Sequence, residues 1–222
     1  MSEFSTEILI PAHILDYRIK QLAEDISERY CEQLKTNPDL GPLVILMVLL
    51  GGTAFAIQLL QELYTLGIDA ELQSVSASSY GNEKQSSGLV HLQWQKDPEI
   101  FRDRAVVIAE DLKDKGYTLS EIVAVLKEVC PASILVAVMV DKPAASAIDI
   151  DADLLVGFSS IDCWIKGRGI NSGPSGRGDL NILAEPQTAQ EAANIQLYRL
   201  ALEADYERTR ALDSDSAPPL AL

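Results

Sequence analysis

Residues 104–119 read Arg-Ala-Val-Val-Ile-Ala-Glu-Asp-Leu-Lys-Asp-Lys-Gly-Tyr-Thr-Leu, and this stretch decides the fold. The apolar residues that follow Arg104 predict a buried strand over Arg104–Ala109, which leads into two adjacent carboxylates and a short loop with a glycine. Beyond the loop, helical spacing is kept by a set of apolar residues: Leu119, Ile122, Val123, Leu126 and Val129. A strand that passes through a loop into a helix is the repeating unit of a parallel α/β sheet.

The flanking sequence repeats this unit. Further apolar runs predict strands over Leu43–Leu50, Ile68–Val75, Ile134–Val140 and Leu154–Phe158, with Leu89–Trp94 as the returning arm of a hairpin. Helical spacing predicts helices over roughly 12–35, over a segment from Phe55 to Leu63 and over roughly 188–210. Continuously apolar strands are typical of a sheet covered on both faces. We therefore expect an α/β protein with an open, largely parallel twisted sheet and flanking helices.

Composition excludes several classes of protein. The 222 residues carry 33 acidic and 18 Lys or Arg side chains, a formal net charge of -15, which opposes binding to nucleic acid or to an anionic membrane surface. The three cysteines lie far apart and form no Cys-x-x-Cys pair, so neither a disulfide framework nor a zinc site is indicated. The first residues lack the layout of a signal peptide, and the longest apolar run is too short to cross a bilayer. We expect a cytoplasmic location.

The deciding stretch also carries the strongest chemical signal. Glu110 and Asp111 follow a strand, and in open α/β sheets ligands bind beyond the carboxyl ends of the strands. The helix that follows presents free backbone N–H groups, which suit a phosphate, and Gly116 allows close approach of the backbone. Thr118 adds a hydroxyl, although Thr118 with Glu121 also fits a capping box with a purely structural role.

At this point the chain resembles the type I phosphoribosyltransferase family. The stretch is similar to that family's phosphoribosylpyrophosphate motif, which is an apolar strand, two acids, a short spacer and Asp-Thr-Gly-x-Thr. Other segments resemble the hypoxanthine-guanine branch in order and spacing over residues 7–183: Arg18-Ile19, Leu50-Gly51-Gly52, Ser78-Ser79-Tyr80-Gly81, Ser86-Ser87-Gly88, Pro131-Ala132-Ser133, Asp141-Lys142-Pro143 and Gly157-Phe158 followed by Asp162 and Trp164. The resemblance implies a sheet with a small hood region beside it.

The resemblance also implies a reaction. Such enzymes transfer the 5-phosphoribosyl group from phosphoribosylpyrophosphate to a 6-oxopurine base (hypoxanthine, guanine or xanthine) and release pyrophosphate and a nucleoside monophosphate, as part of purine salvage. Magnesium is the implied cofactor, and a homo-oligomer, either a dimer or a tetramer, is the implied assembly. A second interpretation stays open, in which the chain is a non-catalytic phosphoribosyltransferase-like protein that senses nucleotides or regulates.

Roles for individual residues follow from the same resemblance. Glu110 and Asp111 would hold the ribose hydroxyls, and Asp114 would be the general acid/base. The remaining implied sites are the 5′-phosphate loop (Asp114, Lys115, Gly116, Tyr117, Thr118), the pyrophosphate site (Leu50, Gly51, Gly52, Arg177), the purine site (Lys142, Trp164, Ile165), a flexible loop (Ser79, Tyr80, Gly81) and a metal site (Glu110, Asp111, Asn171). The peptide bond before Gly51 is expected to be cis. Lys142 as a solvated lysine and Trp164 as a core or interface residue stay open as structural alternatives.

Several positions depart from the family pattern. Lys115 replaces a threonine of the phosphate loop, and Leu50 occupies a position that is lysine in some members. Asn171 stands where an aspartate commonly helps to bind magnesium, and Arg168 replaces an aromatic residue. Residues 172–178 are unusually rich in glycine and serine. These changes bear on base specificity and on the affinity for a second metal ion, and Lys115, Asn171 and the altered late loop favour the regulatory interpretation.

The end of the chain extends beyond the family pattern. We expect a phosphoribosyltransferase-like domain over 1–186 and a helical extension over 187–222 that frays from Asp213. The extension carries Ile195, Tyr198, Leu202 and Tyr206 on one face, and an isolated helix of this length is marginal in water. That face could cover its own domain or a neighbouring subunit, and we expect a subunit contact.

Overall fold

The computed structural model describes residues 5–79, 90–171 and 175–216. Its elements follow in chain order: β1 Glu7–Ile10, α1 Ala12–Thr36, β2 Val44–Leu49, α2 Thr53–Thr65, β3 Glu71–Ser79, β4 Val90–Trp94, β5 Ala105–Lys113, α3 Tyr117–Glu128, β6 Ser133–Asp141, β7 Asp153–Ser159, β8 Trp164–Lys166, β9 Ile182–Glu185 and α4 Ala189–Ser216. The expected alternation of strands and helices is confirmed, and α1 matches its predicted range to within a residue.

The main sheet has six strands in the order β4-β3-β2-β5-β6-β7. All neighbouring pairs are parallel except β3 with β4, which form the predicted antiparallel hairpin. The chain moves from β2 to β3 on one side and later returns to β5 on the other side of β2. The strand order therefore reverses between β2 and β5, and such a switch point is where open α/β sheets bind their ligands.

Strand side chains alternate between two apolar cores, which explains the continuous apolar runs. In β5, Val107 and Ala109 join the core beneath α1 and α2, whereas Val106 and Ile108 join the core beneath α3. Successive side chains of a strand point to opposite faces, so a strand covered on both sides must be apolar throughout.

A second, three-stranded sheet in the order β1-β9-β8 forms the hood, and both of its pairings are antiparallel. The sequence pattern did not predict these strands. Their lengths of 3 or 4 residues are too short for a period of two to stand out from loop sequence. The hood matters for function because β8 carries Trp164 and Ile165.

Helix α4 packs its apolar stripe onto this chain. Ile195 is fully buried in the core shared with α1 and the hood, and Tyr198, Leu202 and Tyr206 pack against it. The ring of Tyr206 meets the edges of His13 and Tyr17 at centroid distances of 5.1 and 5.2 Å. The expectation that this stripe forms a subunit contact is therefore wrong, because it covers its own domain.

The ends of the chain give two further findings. Helix α4 continues to Ser216, beyond the predicted limit near residue 210, and the frayed end stays a prediction. Among the helices of the described ranges, none is both long enough and apolar enough to cross a bilayer. The division of the chain at residue 186 stays a prediction.

Candidate active site

The loop after β2 meets the acidic pair of β5 directly. Gly51 lies so close to Asp111 that a Cβ built at position 51 would stand 2.1 Å from the carboxylate Oδ2, and only glycine allows this approach. The backbone has a cis peptide bond here, between Leu49 and Leu50. The sequence prediction placed it one residue later, before Gly51, and that position is wrong. The side chain of Leu50 itself is exposed to solvent.

Glu110 and Asp111 lie inside β5, which is longer than predicted. The strand continues to Lys113 because its ladder to β6 persists, with Glu110 opposite Val138 and Lys113 opposite Asp141. The two carboxylates are buried, each with about 8% of its surface exposed. Burial, then the negative charge of Asp111 and a hydrogen bond to its side chain, raises the pKa of Glu110 well above its ordinary range.

The phosphate-loop residues stand at the start of α3. Gly116 is the N-terminal cap with φ 90°, and the helix begins at Tyr117, which places Thr118 in the first turn. The cap is made without a side-chain hydrogen bond, so the capping-box alternative for Thr118 and Glu121 is wrong. The first backbone N–H groups of a helix point beyond its N-terminus and favour an anion there. Asp114 and Lys115 are exposed beside them.

A buried ion pair joins the carboxyl ends of β5 and β6. The Lys113 ammonium donates to Asp141 Oδ1 at 2.9 Å and to Ser146 Oγ at 3.1 Å. The backbone N–H of Lys142 also donates to the Lys113 carbonyl at 2.9 Å. These contacts couple the residues just before Asp114 and Lys142. Sequence reasoning missed the pair, although the positions of Lys113 and Asp141 at the ends of adjacent strands could have indicated it.

Next to this pair lies a cavity of about 280 Å³ that joins residues from four parts of the chain. Its lining residues are Asp114, Lys142, Asp162, Cys163, Trp164, Gln187 and Glu191. The Lys142 side chain is buried and donates from Nζ to the Cys163 carbonyl at 2.5 Å, so it is not a solvated lysine. Trp164 is 65% exposed, which excludes a core role within this chain and leaves its ring open to a flat ligand. Ile165, its neighbour in β8, is buried.

The pKa of the Cys163 thiol reflects the charges around this cavity. Burial raises the pKa of the Cys163 thiol to about 11, with the Lys142 ammonium opposing the rise and the carboxylates of Glu191 and Asp162 adding to it. The thiol therefore stays protonated at neutral pH. The same observation places the charges of Lys142, Asp162 and Glu191 within electrostatic reach of one point in the pocket.

The loop between β8 and β9 closes over the β2 loop. A Cβ at position 169 would stand 2.2 Å from the Gly51 carbonyl oxygen, so these two backbones touch. Arg177 is held there, since its guanidinium donates to the Gly169 carbonyl at 2.5 Å. Arg168 donates to Asp16 of α1 and to Gln58 of α2, which anchors the loop to both helices. The structure thus brings Arg177 to the pyrophosphate loop predicted from sequence.

Other predicted site residues are placed as follows. Ser79 ends β3, whereas Tyr80 and Gly81 lie outside the described residues. Asn171 directly follows the small bridge between Gly167 and Ile170. Gln187 and Glu191, which line the cavity of Lys142 and Trp164, were not predicted from the sequence. Their position after the last strand gave no periodic signal for a pocket contact.

The donor chemistry at the acidic pair fits a magnesium ion. Carboxylate oxygens are its preferred ligands, and magnesium is usually held by one or two carboxylates together with the phosphates of a substrate. Among the described residues, no three His, Cys, Asp or Glu side chains gather into a metal cluster.

An acidic pair, a helix N-terminus and a cavity beside a buried lysine all lie beyond the carboxyl ends of the parallel strands, which is the arrangement of a nucleotide-binding α/β enzyme. The sequence matches the family model described as the phosphoribosyl transferase domain over residues 13–172. The chain belongs to this family.

Individual relatives narrow the branch. The chain is 32% identical over 168 residues to a hypoxanthine phosphoribosyltransferase of Salmonella typhimurium, which covers 75% of this chain and 88% of that protein. It is 31% identical over 165 residues to a hypoxanthine-guanine phosphoribosyltransferase of Bacillus subtilis, covering 74% of this chain and 84% of that protein. Within the family, the chain groups with the hypoxanthine-guanine branch.

Solved structures agree with the fold. The hypoxanthine phosphoribosyltransferase of Trypanosoma cruzi in complex with its product IMP superposes with a TM-score of 0.71 at 25% identity, covering 85% of this chain and 98% of that one. A second structure of the Trypanosoma cruzi enzyme, from work on the role of its C-terminal region in oligomeric state and activity, gives a TM-score of 0.73 at 24% identity and covers 87% of this chain and 98% of that one.

Proposed function

We propose that this chain transfers the 5-phosphoribosyl group of phosphoribosylpyrophosphate to a 6-oxopurine base, and so acts in purine salvage. The observation that carries the proposal is the convergence, at one sheet edge, of the Glu110–Asp111 pair, the α3 N-terminus and the cavity of Lys142 and Trp164. Each part matches one portion of the two substrates.

The ribose and phosphate portions fit the β5–α3 segment. Glu110 and Asp111 accept hydrogen bonds from the two ribose hydroxyls, because carboxylates are pure acceptors. The backbone N–H groups at the start of α3 bind the 5′-phosphate. The leaving pyrophosphate lies against the loop of Leu50, Gly51 and Gly52, with Arg177 nearby to offset its charge.

The base portion fits the cavity beside this segment. The purine stacks on the exposed ring of Trp164, and the Ile165 backbone faces its far edge. Asp114 stands at the imidazole side, where a base must lose a proton as its ring nitrogen attacks the anomeric carbon. The Lys142 ammonium donates to the exocyclic oxygen at the six position.

Magnesium fits the acidic pair, and we propose that Asp111 and Glu110 hold it together with the substrate, with Asn171 as a further oxygen donor. A bound magnesium ion offsets the negative charge that develops on the leaving pyrophosphate. An amide oxygen binds a hard cation more weakly than a carboxylate does. We therefore expect the affinity for a second ion to depend little on Asn171.

The regulatory alternative rests on Lys115 and Asn171, which depart from the family pattern. Against it stands the presence in the sequence of Glu110, Asp111, Asp114, Lys142 and Trp164, the residues to which the family resemblance gives catalytic and binding roles. We also propose that the enzyme works in the cytoplasm and as a homo-oligomer, the latter in line with the work on oligomeric state in the Trypanosoma cruzi relative.

A conversion assay tests the proposal. The full chain is incubated with phosphoribosylpyrophosphate, magnesium and radiolabelled hypoxanthine, guanine or adenine, and nucleoside monophosphate is counted. We expect turnover of the 6-oxopurines and at least about tenfold lower kcat/KM for adenine, because its amino group cannot accept a hydrogen bond from the buried Lys142 ammonium, and a lost partner for a buried polar group costs about 1–3 kcal/mol.

The Lys142→Met variant sharpens this assay. It should lower the ratio of kcat/KM for hypoxanthine to kcat/KM for adenine. The control Lys20→Met, at an exposed position on the outer face of α1, should leave this ratio unchanged. Absence of turnover with every base, together with binding of phosphoribosylpyrophosphate or nucleotide, would favour the regulatory alternative.

A further inference from the structure

The first turn of α4 forms part of the wall of the base cavity. Gln187, just before the helix, and Glu191, within its first turn, line the same cavity as Lys142 and Trp164. The rest of that wall comes from the loops around β5, β6 and β8. Helix α4 therefore adds to the pocket a carboxylate that the strand-and-loop framework does not supply.

Glu191 is held in a defined position. Its backbone N–H donates to Thr188 Oγ1 at 3.1 Å, and its carboxylate Oε2 accepts the backbone N–H of Gln187 at 2.8 Å. This is a variant of the capping box, in which the side chain reaches back over the helix N-terminus. Because the carboxylate is tied to the backbone, its charge stays at the cavity wall instead of swinging into solvent.

The cavity wall as a whole carries excess negative charge. Asp114 from the loop after β5, Asp162 from the loop before β8 and Glu191 from α4 contribute three carboxylates, against the single ammonium of Lys142 after β6. The remaining titratable wall group, the Cys163 thiol, is neutral at physiological pH because its pKa is raised to about 11. A neutral ligand is little affected by this imbalance, whereas an anionic ligand is repelled.

We propose that Glu191 is a specificity-determining residue that excludes anionic purines, and that the pocket therefore selects hypoxanthine and guanine over xanthine. Xanthine carries a second ring oxygen and loses a proton close to neutral pH, whereas the other two bases stay neutral there. This inference rests on the proposed function and deepens it. The role is electrostatic, so it depends on the charge of residue 191 rather than on its shape.

The test compares kcat/KM for xanthine, guanine and hypoxanthine at one pH below and one pH above the pKa of xanthine. In the unmodified protein, the ratio of xanthine to guanine turnover should fall as xanthine becomes anionic. In Glu191→Gln, the ratio at the higher pH should rise by about three- to tenfold, mainly through a lower KM for xanthine, since removal of one nearby charge changes the interaction by about that factor. At the lower pH the ratio should be nearly unchanged.

Three variants separate charge from structure. Glu191→Asp keeps the charge and should keep the exclusion of xanthine, whereas Glu191→Asn gives a second neutral variant and should relax it as Gln does. Glu203→Gln removes a carboxylate of the same helix that pairs with Arg199 and does not line the cavity, so its ratios should match the unmodified protein. Thermal midpoints of all variants check the fold.

The outcomes are distinguishable. An equal change of kcat/KM for all three bases in Glu191→Gln, or no change in any ratio, would overturn the proposal and leave Glu191 with a capping role only. If the unmodified protein converts none of the bases, the proposed function fails first, and the inference falls with it.

Discussion

Two ion pairs at opposite ends of the main sheet differ in almost every physical respect. At the carboxyl ends of β5 and β6, Lys113 and Asp141 meet at 2.9 Å with only 7% and 11% of their side chains exposed. Near the other end, Arg29 of α1 meets Asp153 of β7 at 3.2 Å, with 49% and 76% exposed. Burying a charged pair costs several kcal/mol of desolvation per ion, so the sheet carries that cost only at the end where the candidate site lies.

Cavity size alone would point to the opposite end of the sheet from the proposed site. A larger space of about 560 Å³ lies beneath α1 at the amino ends of the strands, between Asp25 and Arg29 on the helix and Ala105 and Ser133 at the strand starts. The base cavity has half that volume, about 280 Å³. What distinguishes the smaller cavity is chemistry, namely a buried ammonium, a stacking ring and several carboxylates at a switch point.

The largest expected effect is on stability and breaks the buried pair. Lys113→Met leaves the Asp141 carboxylate buried without its partner, which should lower the free energy of unfolding by about 3–5 kcal/mol. The double variant Lys113→Met/Asp141→Leu should recover much of this loss, because no charge then stays buried. Urea unfolding at equilibrium measures both.

Arg29→Ala is the matched control at the exposed pair, and it should cost less than about 1 kcal/mol. Equal losses for Lys113→Met and Arg29→Ala would show that burial does not distinguish the two ends of the sheet in the way argued above.

The next effect is on catalysis. Replacing both Glu110 and Asp111 with Ala removes the acceptors for the ribose hydroxyls and should lower kcat/KM by about 10²-fold or more, which corresponds to about 2.7 kcal/mol of transition-state stabilisation. Steady-state kinetics with hypoxanthine provides the measurement. The control Glu203→Ala/Asp205→Ala removes two carboxylates from α4 and should leave kcat/KM nearly unchanged. Near-normal activity of the variant that lacks Glu110 and Asp111 would refute their assignment as ribose ligands.

The smallest expected effect is a pH-dependent change in folding stability caused by Glu110. The pKa of Glu110 is raised by burial and by Asp111, so its favourable contribution to folding is complete below the unfolded pKa and is lost as pH rises through the folded pKa. The variant Glu110→Gln has a neutral side chain at every pH, so it does not undergo this loss of folding stability. Its thermal midpoint should match the unmodified protein below pH 4.5, the ordinary pKa of a glutamate, and exceed it by a few degrees at alkaline pH. A constant difference across pH would contradict this.

Much of the fold was predictable because long apolar runs are unambiguous. β5 and β6 are buried on both faces and α1 keeps its spacing over 25 residues, so each gave a clear pattern. The strand β5 was predicted too short because polarity was taken to end it at Ala109, whereas its ladder to β6 depends on backbone hydrogen bonds and includes Glu110 and Lys113.

The site was predictable in its motifs and not in its tertiary partners. Glu110, Asp111 and Lys142 stand in local patterns, whereas the contact of Lys113 with Asp141 spans 28 residues and that of Arg168 with Asp16 spans 152. Periodicity identified the apolar face of α4 correctly. It could not say what covers that face, because burial against the same chain and burial against a neighbour leave the same sequence pattern.

The site has one surface formed by close backbone contacts and another formed by side chains. Gly51 belongs to the first, since it meets the Asp111 carboxylate on one side and the backbone of Gly169 on the other. Where backbone meets carboxylate and backbone meets backbone, a side chain has little room, so the end proposed to hold the leaving group tolerates few substitutions. The base end is built from side chains such as Trp164 and Glu191, which can be exchanged one at a time. Divergence in substrate range among descendants of this sequence would therefore accumulate at the base end, while the reaction itself is inherited unchanged.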